Sequence, residues 1–125
     1  MTKILLIDDD PFILDMYVLK LKESGFDIGT AANGKDGLAK IASFEPDLLL
    51  LDIVMPAMDG FEVLQELKKN PPAHPLKIIL LSNLGQKEDV ERGLSLGADD
   101  YLVKANFTPG EVVQKIHEVL SKSNR

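Results

Sequence analysis

The chain contains no cysteine and no tryptophan. The lack of cysteine excludes a disulfide scaffold, thiol catalysis and thiolate metal sites, and it favours a cytoplasmic protein. The chain also lacks an uninterrupted apolar segment of roughly 18 residues, the length that a membrane-spanning helix needs. Its first residues, Met1-Thr2-Lys3, precede a short apolar run and three aspartates, a pattern unlike a signal peptide. We therefore expect no membrane insertion.

Basic residues are outnumbered and scattered along the chain. There are 14 lysines and arginines against 20 aspartates and glutamates, which gives a net charge of −6. A protein that binds nucleic acid directly usually carries a basic patch, and this sequence has no cluster of Lys and Arg. We therefore expect no direct contact with nucleic acid. The length of 125 residues predicts a single domain over residues 1–125, long enough to bury a core without metal or disulfide bonds.

Five short apolar segments predict β-strands. The run from Leu48 to Leu51 does not alternate with polar residues, which is typical of a strand covered on both faces in a parallel sheet. The predicted strands are Lys3–Ile7, Asp27–Ala31, Asp47–Leu51, Lys77–Leu81 and Asp100–Val103.

Apolar residues recur at helical spacing after each strand, and we expect these stripes to face the core. Gly25 and Gly97 stand where helices should end, and Thr108-Pro109-Gly110-Glu111 has the pattern of a helix start with a capping box. The proline-rich segment from Asn70 to Pro75 must be a loop. The stripes are Phe12, Met16 and Leu19; Leu38, Ile41 and Ala42; Val63 and Leu67; Val90 and Leu94; and Val112, Ile116, Val119 and Leu120.

Strands and helices therefore alternate strictly, as (βα)5. This alternation predicts an α/β fold with a parallel sheet, right-handed crossovers and helices on both faces. In such sheets the binding crevice lies beyond the carboxyl ends of the strands. The residues at those ends are Asp8-Asp9-Asp10 after strand 1, Asp52 after strand 3, Ser82 after strand 4 and Lys104 after strand 5.

Together these residues indicate a site for a phosphoryl group beside a divalent metal. Carboxylates that share a small site repel one another, and one becomes neutral unless a cation is present. Oxygen ligands without histidine or cysteine suit Mg²⁺. Lys104 supplies a compact positive charge of the kind that binds phosphate, and Ser82 supplies a hydroxyl. A carboxylate in this setting can act as a nucleophile and form an acyl phosphate.

Four segments carry a resemblance to a known family. They are ILLIDDDP (Ile4–Pro11), PDLLLLDIVMPAMDG (Pro46–Gly60), IILLS (Ile78–Ser82) and GADDYLVK (Gly97–Lys104). In order and spacing the whole chain resembles the receiver domain of two-component response regulators. The resemblance implies a doubly wound, flavodoxin-like fold with strand order 2-1-3-4-5.

The resemblance also implies a function and a metal site. Asp52 would accept a phosphoryl group from a sensor histidine kinase or a histidine phosphotransfer protein, as a regulatory phosphoacceptor rather than an enzyme. Asp9 would bind Mg²⁺ directly, Asp8 mainly through water, and Asp52 and the backbone carbonyl of Val54 would complete the protein ligands.

Three further residues receive roles from the same resemblance. Lys104 would pair with the phosphoryl oxygens, and Ser82 would turn toward the phosphoryl group. Tyr101 would change between an outward and an inward rotamer as the domain switches. The changing surface would be helix 4, strand 5 and helix 5, read by an output protein or domain that the sequence does not identify.

The sequence departs from the family pattern after the lysine. The family usually has proline there, and this chain reads Lys104-Ala105-Asn106-Phe107. A cis bond before a residue other than proline costs about 2.5–4 kcal/mol, so we expect a trans Lys104–Ala105 peptide. Val54 and Leu84 occupy the positions that in this family can orient the water for dephosphorylation. Both are apolar, which predicts slow loss of the phosphoryl group.

Two alternatives belong to other functional classes. An aspartyl-phosphate hydrolase would place a second aspartate two residues after the nucleophile, where this chain has Val54. A flavodoxin-like cofactor module would need a loop rich in Ser, Thr and Gly after strand 1, where Asp8-Asp9-Asp10 repels phosphate unless a metal is present. A flavin spectrum, or turnover of small phosphate esters, would distinguish either alternative from a receiver.

Overall fold

The structure is a computed structural model, and it describes residues 1–122. Strands and helices alternate as predicted. The strands are β1 (Lys3–Ile7), β2 (Asp27–Ala31), β3 (Leu48–Leu51), β4 (Lys77–Ser82) and β5 (Asp100–Val103). The helices are α1 (Pro11–Glu23), α2 (Gly34–Phe44), α3 (Gly60–Lys69), α4 (Lys87–Ser95) and α5 (Pro109–Ser121), with a 3₁₀ turn at Lys104–Asn106.

The sheet confirms the predicted fold class. Its five strands are parallel in the order β2-β1-β3-β4-β5. Ile7 pairs with Leu51, and Asp52 donates its backbone N–H to the carbonyl of Ile7 at 2.9 Å. The carboxyl ends of β1 and β3 are therefore level, which places Asp8 beside Asp52.

The leucines of β3 explain the non-alternating run. Leu48 to Leu51 are all fully buried, and they contribute in turn to two hydrophobic clusters on opposite faces of the sheet. Leu49 and Leu51 pack in the cluster that contains residues of α2 and α3, and Leu48 and Leu50 in the cluster that contains residues of α1 and α5. A strand covered on both faces has no polar side, as the sequence predicted.

The predicted core stripe of α1 is wrong. The side chains of Phe12, Met16 and Leu19 are 84%, 43% and 62% exposed, and α1 buries Tyr17 and Leu21 instead. Apolar residues surround most of this helix, so spacing alone did not identify the face that meets the sheet. In the other stripes, Leu94 and Ala42 are also exposed, and the remaining residues are buried or half-buried.

The predicted helix ends and loops are confirmed. Thr108 and Glu111 form the predicted reciprocal capping box at the start of α5. At the start of α1, Asp10 caps the helix by accepting the N–H of Phe12 at 2.9 Å. Gly25 and Gly97 have φ angles of +88° and +109°, which favour glycine after a helix. Within residues 1–122, no helix is long and apolar enough to cross a membrane.

Candidate functional site

Three carboxylates meet at the carboxyl edge of the sheet. Asp8, Asp9 and Asp52 each have a carboxylate oxygen within 4.8 Å of the others. Asp8 is 1% exposed and Asp52 is 6% exposed, whereas Asp9 faces solvent. The predicted convergence of these side chains is therefore present, and it combines two buried groups with one accessible group.

Lys104 is the cation of this site, and its nearest partner is Asp8. Its Nζ lies 2.8 Å from Oδ2 of Asp8 and 3.5 Å from Oδ2 of Asp52. The other oxygen of Asp8 accepts the backbone N–H of Asp10 at 3.0 Å. Both oxygens of Asp8 are thus engaged. Sequence reasoning missed this detail, because the distances from Lys104 to Asp8 and to Asp52 differ by less than 1 Å.

The segment after Lys104 has the trans peptide bond that the absence of proline predicted. No peptide bond in residues 1–122 is cis, which confirms a trans Lys104–Ala105 bond. The chain forms a 3₁₀ turn at Lys104–Asn106, and Phe107 donates its N–H to the carbonyl of Lys104 at 3.3 Å. The lysine reaches the carboxylates from this turn without proline.

Burial and charge shift the pKa values of the central pair. Burial raises the pKa of Asp52, and the negative charge of Asp8 raises it further, with Lys104 and the N–H of Ile53 compensating only in part. Burial lowers the pKa of Lys104, but the hydrogen bond to Asp8 and the charge of Asp52 outweigh that effect and raise it overall. The single ammonium group of Lys104 therefore does not balance the negative charge of the three carboxylates.

The loop after Asp52 closes tightly behind it. Oδ1 of Asp52 accepts the N–H of Ile53 at 2.8 Å, and Gly60 donates its N–H to the carbonyl of Ile53 at 2.8 Å. A Cβ atom on Gly60 would lie 2.4 Å from the backbone oxygen of Asp52, so only glycine fits. Val54 projects from this loop with 59% exposure.

Ser82 and Tyr101 meet at Leu84, in the loop between β4 and α4. Ser82 is fully buried, and its hydroxyl oxygen accepts the N–H of Leu84 at 3.3 Å. Tyr101 is 8% exposed, and its hydroxyl donates to the carbonyl of Leu84. Burial raises the pKa of Tyr101 to about 12, with the negative charges of Asp89 and Asp52 adding to the effect. Tyr101 therefore occupies the inward position.

The donor set fits a hard divalent cation. Asp8, Asp9 and Asp52 offer only carboxylate oxygens, the ligand type that Mg²⁺ prefers. The raised pKa of Asp52 indicates that a further positive charge would relieve the repulsion among these groups. The chemistry of the side chains thus agrees with the magnesium site expected from the sequence.

Comparisons with known proteins agree on one family. Residues 4–117 match the model of the response regulator receiver domain. The chain is 37% identical over 125 residues to the DNA-binding dual master transcriptional regulator RpaA of Synechocystis, covering 100% of this chain and 52% of the relative. It is 40% identical over 126 residues to the transcriptional regulatory protein AfsQ1 of Streptomyces coelicolor, covering 100% and 54%. The chain thus spans about half the length of these relatives.

Solved structures give the same result. The chemotaxis protein CheY4 of Vibrio cholerae superposes with a TM-score of 0.87 at 30% identity, over 95% of this chain and 98% of that one. A CheY-like receiver domain protein of Methanospirillum hungatei superposes with a TM-score of 0.87 at 35% identity, over 96% and 94%. The chain therefore belongs to the family of response regulator receiver domains.

Proposed function

We propose that Asp52 accepts a phosphoryl group from a sensor histidine kinase or a histidine phosphotransfer protein. As a receiver domain, the chain belongs to the phosphorylation-regulated switches of two-component signalling. The observation that carries the assignment to this residue is its position. Asp52 is a buried carboxylate with two other carboxylates within 4.8 Å and an ammonium group at 3.5 Å.

The transfer requires little covalent machinery. A carboxylate oxygen of Asp52 bonds to phosphorus while the bond from phosphorus to the donor's imidazole nitrogen breaks, and the imidazole keeps the electron pair. Lys104 lies close enough to Asp52 to neutralise part of the charge on the phosphoryl oxygens. Asp8, Asp9, Asp52 and the backbone carbonyl of Val54 would hold Mg²⁺, which supplies the remaining positive charge when bound.

The surroundings of Asp52 suit docking by a protein donor. Phe12, in the first turn of α1, is 84% exposed, and Val54, in the loop after Asp52, is 59% exposed. Met16 and Leu19 are also exposed and follow Phe12 at helical spacing, so the three lie on one face of α1. A donor that brings a phosphohistidine to Asp52 would cover these side chains, which accounts for their apolar character in contact with solvent.

The switch would use the contacts around Leu84. Ser82 accepts one hydrogen bond, so its hydroxyl hydrogen can be donated to a phosphoryl oxygen. That movement would pull the loop that Tyr101 holds through the carbonyl of Leu84. A change from mostly inactive to mostly active requires about 5 kcal/mol of differential interaction, which several charge-assisted hydrogen bonds can supply. The altered face would be α4, β5 and α5, with slow autodephosphorylation as the reset.

The relatives suggest the setting of this switch. Their names describe transcriptional regulators, and this chain covers about half of their length. In a protein of that kind the receiver would control an attached output domain, with no contact of its own to nucleic acid. A flavodoxin-like cofactor module or a phosphate-ester hydrolase is not favoured, because the matched family is the receiver.

Phosphorylation by a small-molecule donor tests the assignment. With acetyl phosphate and Mg²⁺, intact-protein mass spectrometry should show one added phosphoryl group, and Asp52→Asn should show none. Asp47→Asn is the matched control, because Asp47 lies at the opposite edge of the sheet beside β3. Undiminished labelling of Asp52→Asn, or loss of labelling only in Asp47→Asn, would contradict the proposal.

A further inference from the structure

Of the five α-helices, α4 buries the fewest residues. It has nine residues, and Gly93 is its only buried one. Its N-cap residue, Gln86, makes no side-chain capping hydrogen bond. The one fully buried position of this helix is thus a residue without a side chain, and Val90 is half-buried against the core.

Glycine is required at position 93 because there is no space for a Cβ atom, and not because of the backbone conformation. It lies within a regular helix, and its φ angle is not among the positive values of the described glycines. A Cβ atom at Gly93 would lie 2.4 Å from Cδ1 of Leu80 and 3.0 Å and 3.4 Å from two ring carbons of Tyr101. Real Cβ atoms do not approach other atoms to 2.4 Å, so a side chain here would force a neighbour to move.

We propose that the missing side chain at Gly93 is what allows Tyr101 to occupy its buried position. This inference rests on the proposed function to the extent that Tyr101 is part of the switch. Gly93 is then a positioning residue, because it acts on the switch through the tyrosine ring and contacts none of the carboxylates.

The surroundings indicate which neighbour would move. Leu80 is fully buried in β4, and close-packed cores have no adjacent space to receive a displaced side chain. Tyr101 stands on β5 at the edge of the sheet, and its hydroxyl is held by one hydrogen bond, to Leu84. Rotation of the ring toward solvent exchanges that bond for one with water. Crowding at Gly93 should therefore expel the tyrosine ring.

The chain has only two tyrosines, so the position of the Tyr101 ring can be measured by labelling tyrosine. Protein labelled with 3-fluorotyrosine gives one ¹⁹F NMR signal per tyrosine, and Tyr17→Phe assigns them. In Gly93→Ala, the Tyr101 signal should move to the frequency of an exposed tyrosine and acquire its solvent isotope shift. Gly37→Ala is the matched control, because a Cβ there would lie 2.3 Å from Cδ1 of Ile7, with no contact to Tyr101. It should leave the Tyr101 signal unchanged.

A second variant guards against a failure to fold. Leu80→Val combined with Gly93→Ala removes the leucine Cδ1 atom and leaves the crowding against the ring. A folded double variant should still expose Tyr101, and a buried ring in either folded variant would overturn the proposal. Mass spectrometry of the same samples with acetyl phosphate separates the two claims. Parent protein that takes no phosphoryl group contradicts the proposed function, whereas a phosphorylated Gly93→Ala protein with a buried ring contradicts only the role of Gly93.

Discussion

Two contacts between a basic side chain and an aspartate have equal lengths and lie at opposite edges of the sheet. At the carboxyl edge, Nζ of Lys104 is 2.8 Å from Asp8, and the side chains are 15% and 1% exposed. At the amino edge, Nε2 of His74 is 2.8 Å from Asp47, and the side chains are 40% and 37% exposed. The distance is the same, so the two contacts differ in burial and in the basic group, a lysine at the carboxyl edge and a histidine at the amino edge.

The pKa values of the aspartates at the two edges are shifted in opposite directions. At the amino edge, burial raises the pKa of Asp47, but hydrogen bonds from the backbone N–H of Lys3 and from His74 outweigh it and lower the pKa overall. At the carboxyl edge, burial and Asp8 raise the pKa of Asp52 despite the nearby Lys104. The amino edge is a satisfied surface contact, whereas the carboxyl edge has an excess of negative charge that a bound cation would offset.

Removing the buried cation should have the largest effect on stability. Lys104→Met keeps the aliphatic stem but leaves the carboxylate of Asp8 buried without its ammonium partner. Breaking a buried pair in this way costs about 3–5 kcal/mol. We expect about 3 kcal/mol in urea denaturation at pH 7 without Mg²⁺, because part of the lysine side chain is exposed.

Lys115→Met provides the comparison for that measurement. Its pair with Glu118 is 3.7 Å long and exposed, and exposed pairs contribute about 0–1 kcal/mol. Losses of similar size in the two variants would show that burial does not distinguish the carboxyl edge.

Magnesium should stabilise the carboxyl edge by a slightly smaller amount. A ligand that binds only the folded state adds about 2.7 kcal/mol at a concentration 100 times its Kd. The thermal midpoint should therefore rise with Mg²⁺ in the parent protein, and Asp9→Ala should abolish the rise because it removes the accessible ligand. Asp47→Asn, at the other edge, should retain it. An unchanged rise in Asp9→Ala would place the metal elsewhere.

The fold and the position of the acidic site were predictable from the sequence, because the carboxyl ends of parallel strands lie at the same edge of a sheet. The run of leucines in β3 predicted a strand covered on both faces, and the aspartates after β1 and β3 were expected to converge with Lys104. The outward face of α1 was not predictable, since Phe12, Met16 and Leu19 belong to a helix that is apolar on most sides. The closer approach of Lys104 to Asp8 depends on tertiary distances that no pattern encodes.

The third prediction concerns the access of water to the buried edge. In the proposed function, loss of the phosphoryl group needs a water molecule in line with the bond from Asp52 to phosphorus. Val54, which is 59% exposed beside this site, cannot hydrogen bond to that water, whereas Leu84 is half-buried against the core. Polar groups that orient a reacting water contribute roughly 10²–10⁴-fold when well placed, and we expect about tenfold faster phosphate loss in Val54→Asn.

Leu84→Glu should give a smaller acceleration, because its side chain packs inward. Phosphate release from the purified phosphorylated proteins checks both variants. A parent protein that loses phosphate as fast as or faster than both would show that these side chains do not control the access of water.

The smallest effect is expected at the amino edge. His74→Gln removes the imidazole contact with Asp47 at the surface, so the free energy of unfolding at pH 7 should fall by less than about 1 kcal/mol.

The contribution of Asp47 to the free energy of unfolding should change with pH in a definite direction. Because the pKa of Asp47 is lower in the folded protein than its unfolded value of about 3.9, its contribution is present above that pH and disappears as the pH falls through the folded pKa. The stability advantage of the parent over Asp47→Asn should therefore shrink as the pH falls below about 5. Urea denaturation at several pH values measures it, with Asp99→Asn as a second exposed aspartate for comparison. An advantage that grows as the pH falls below about 5 would mean that the carboxylate of Asp47 is destabilised by folding, as Asp52 is, and the contrast between the two edges would fail.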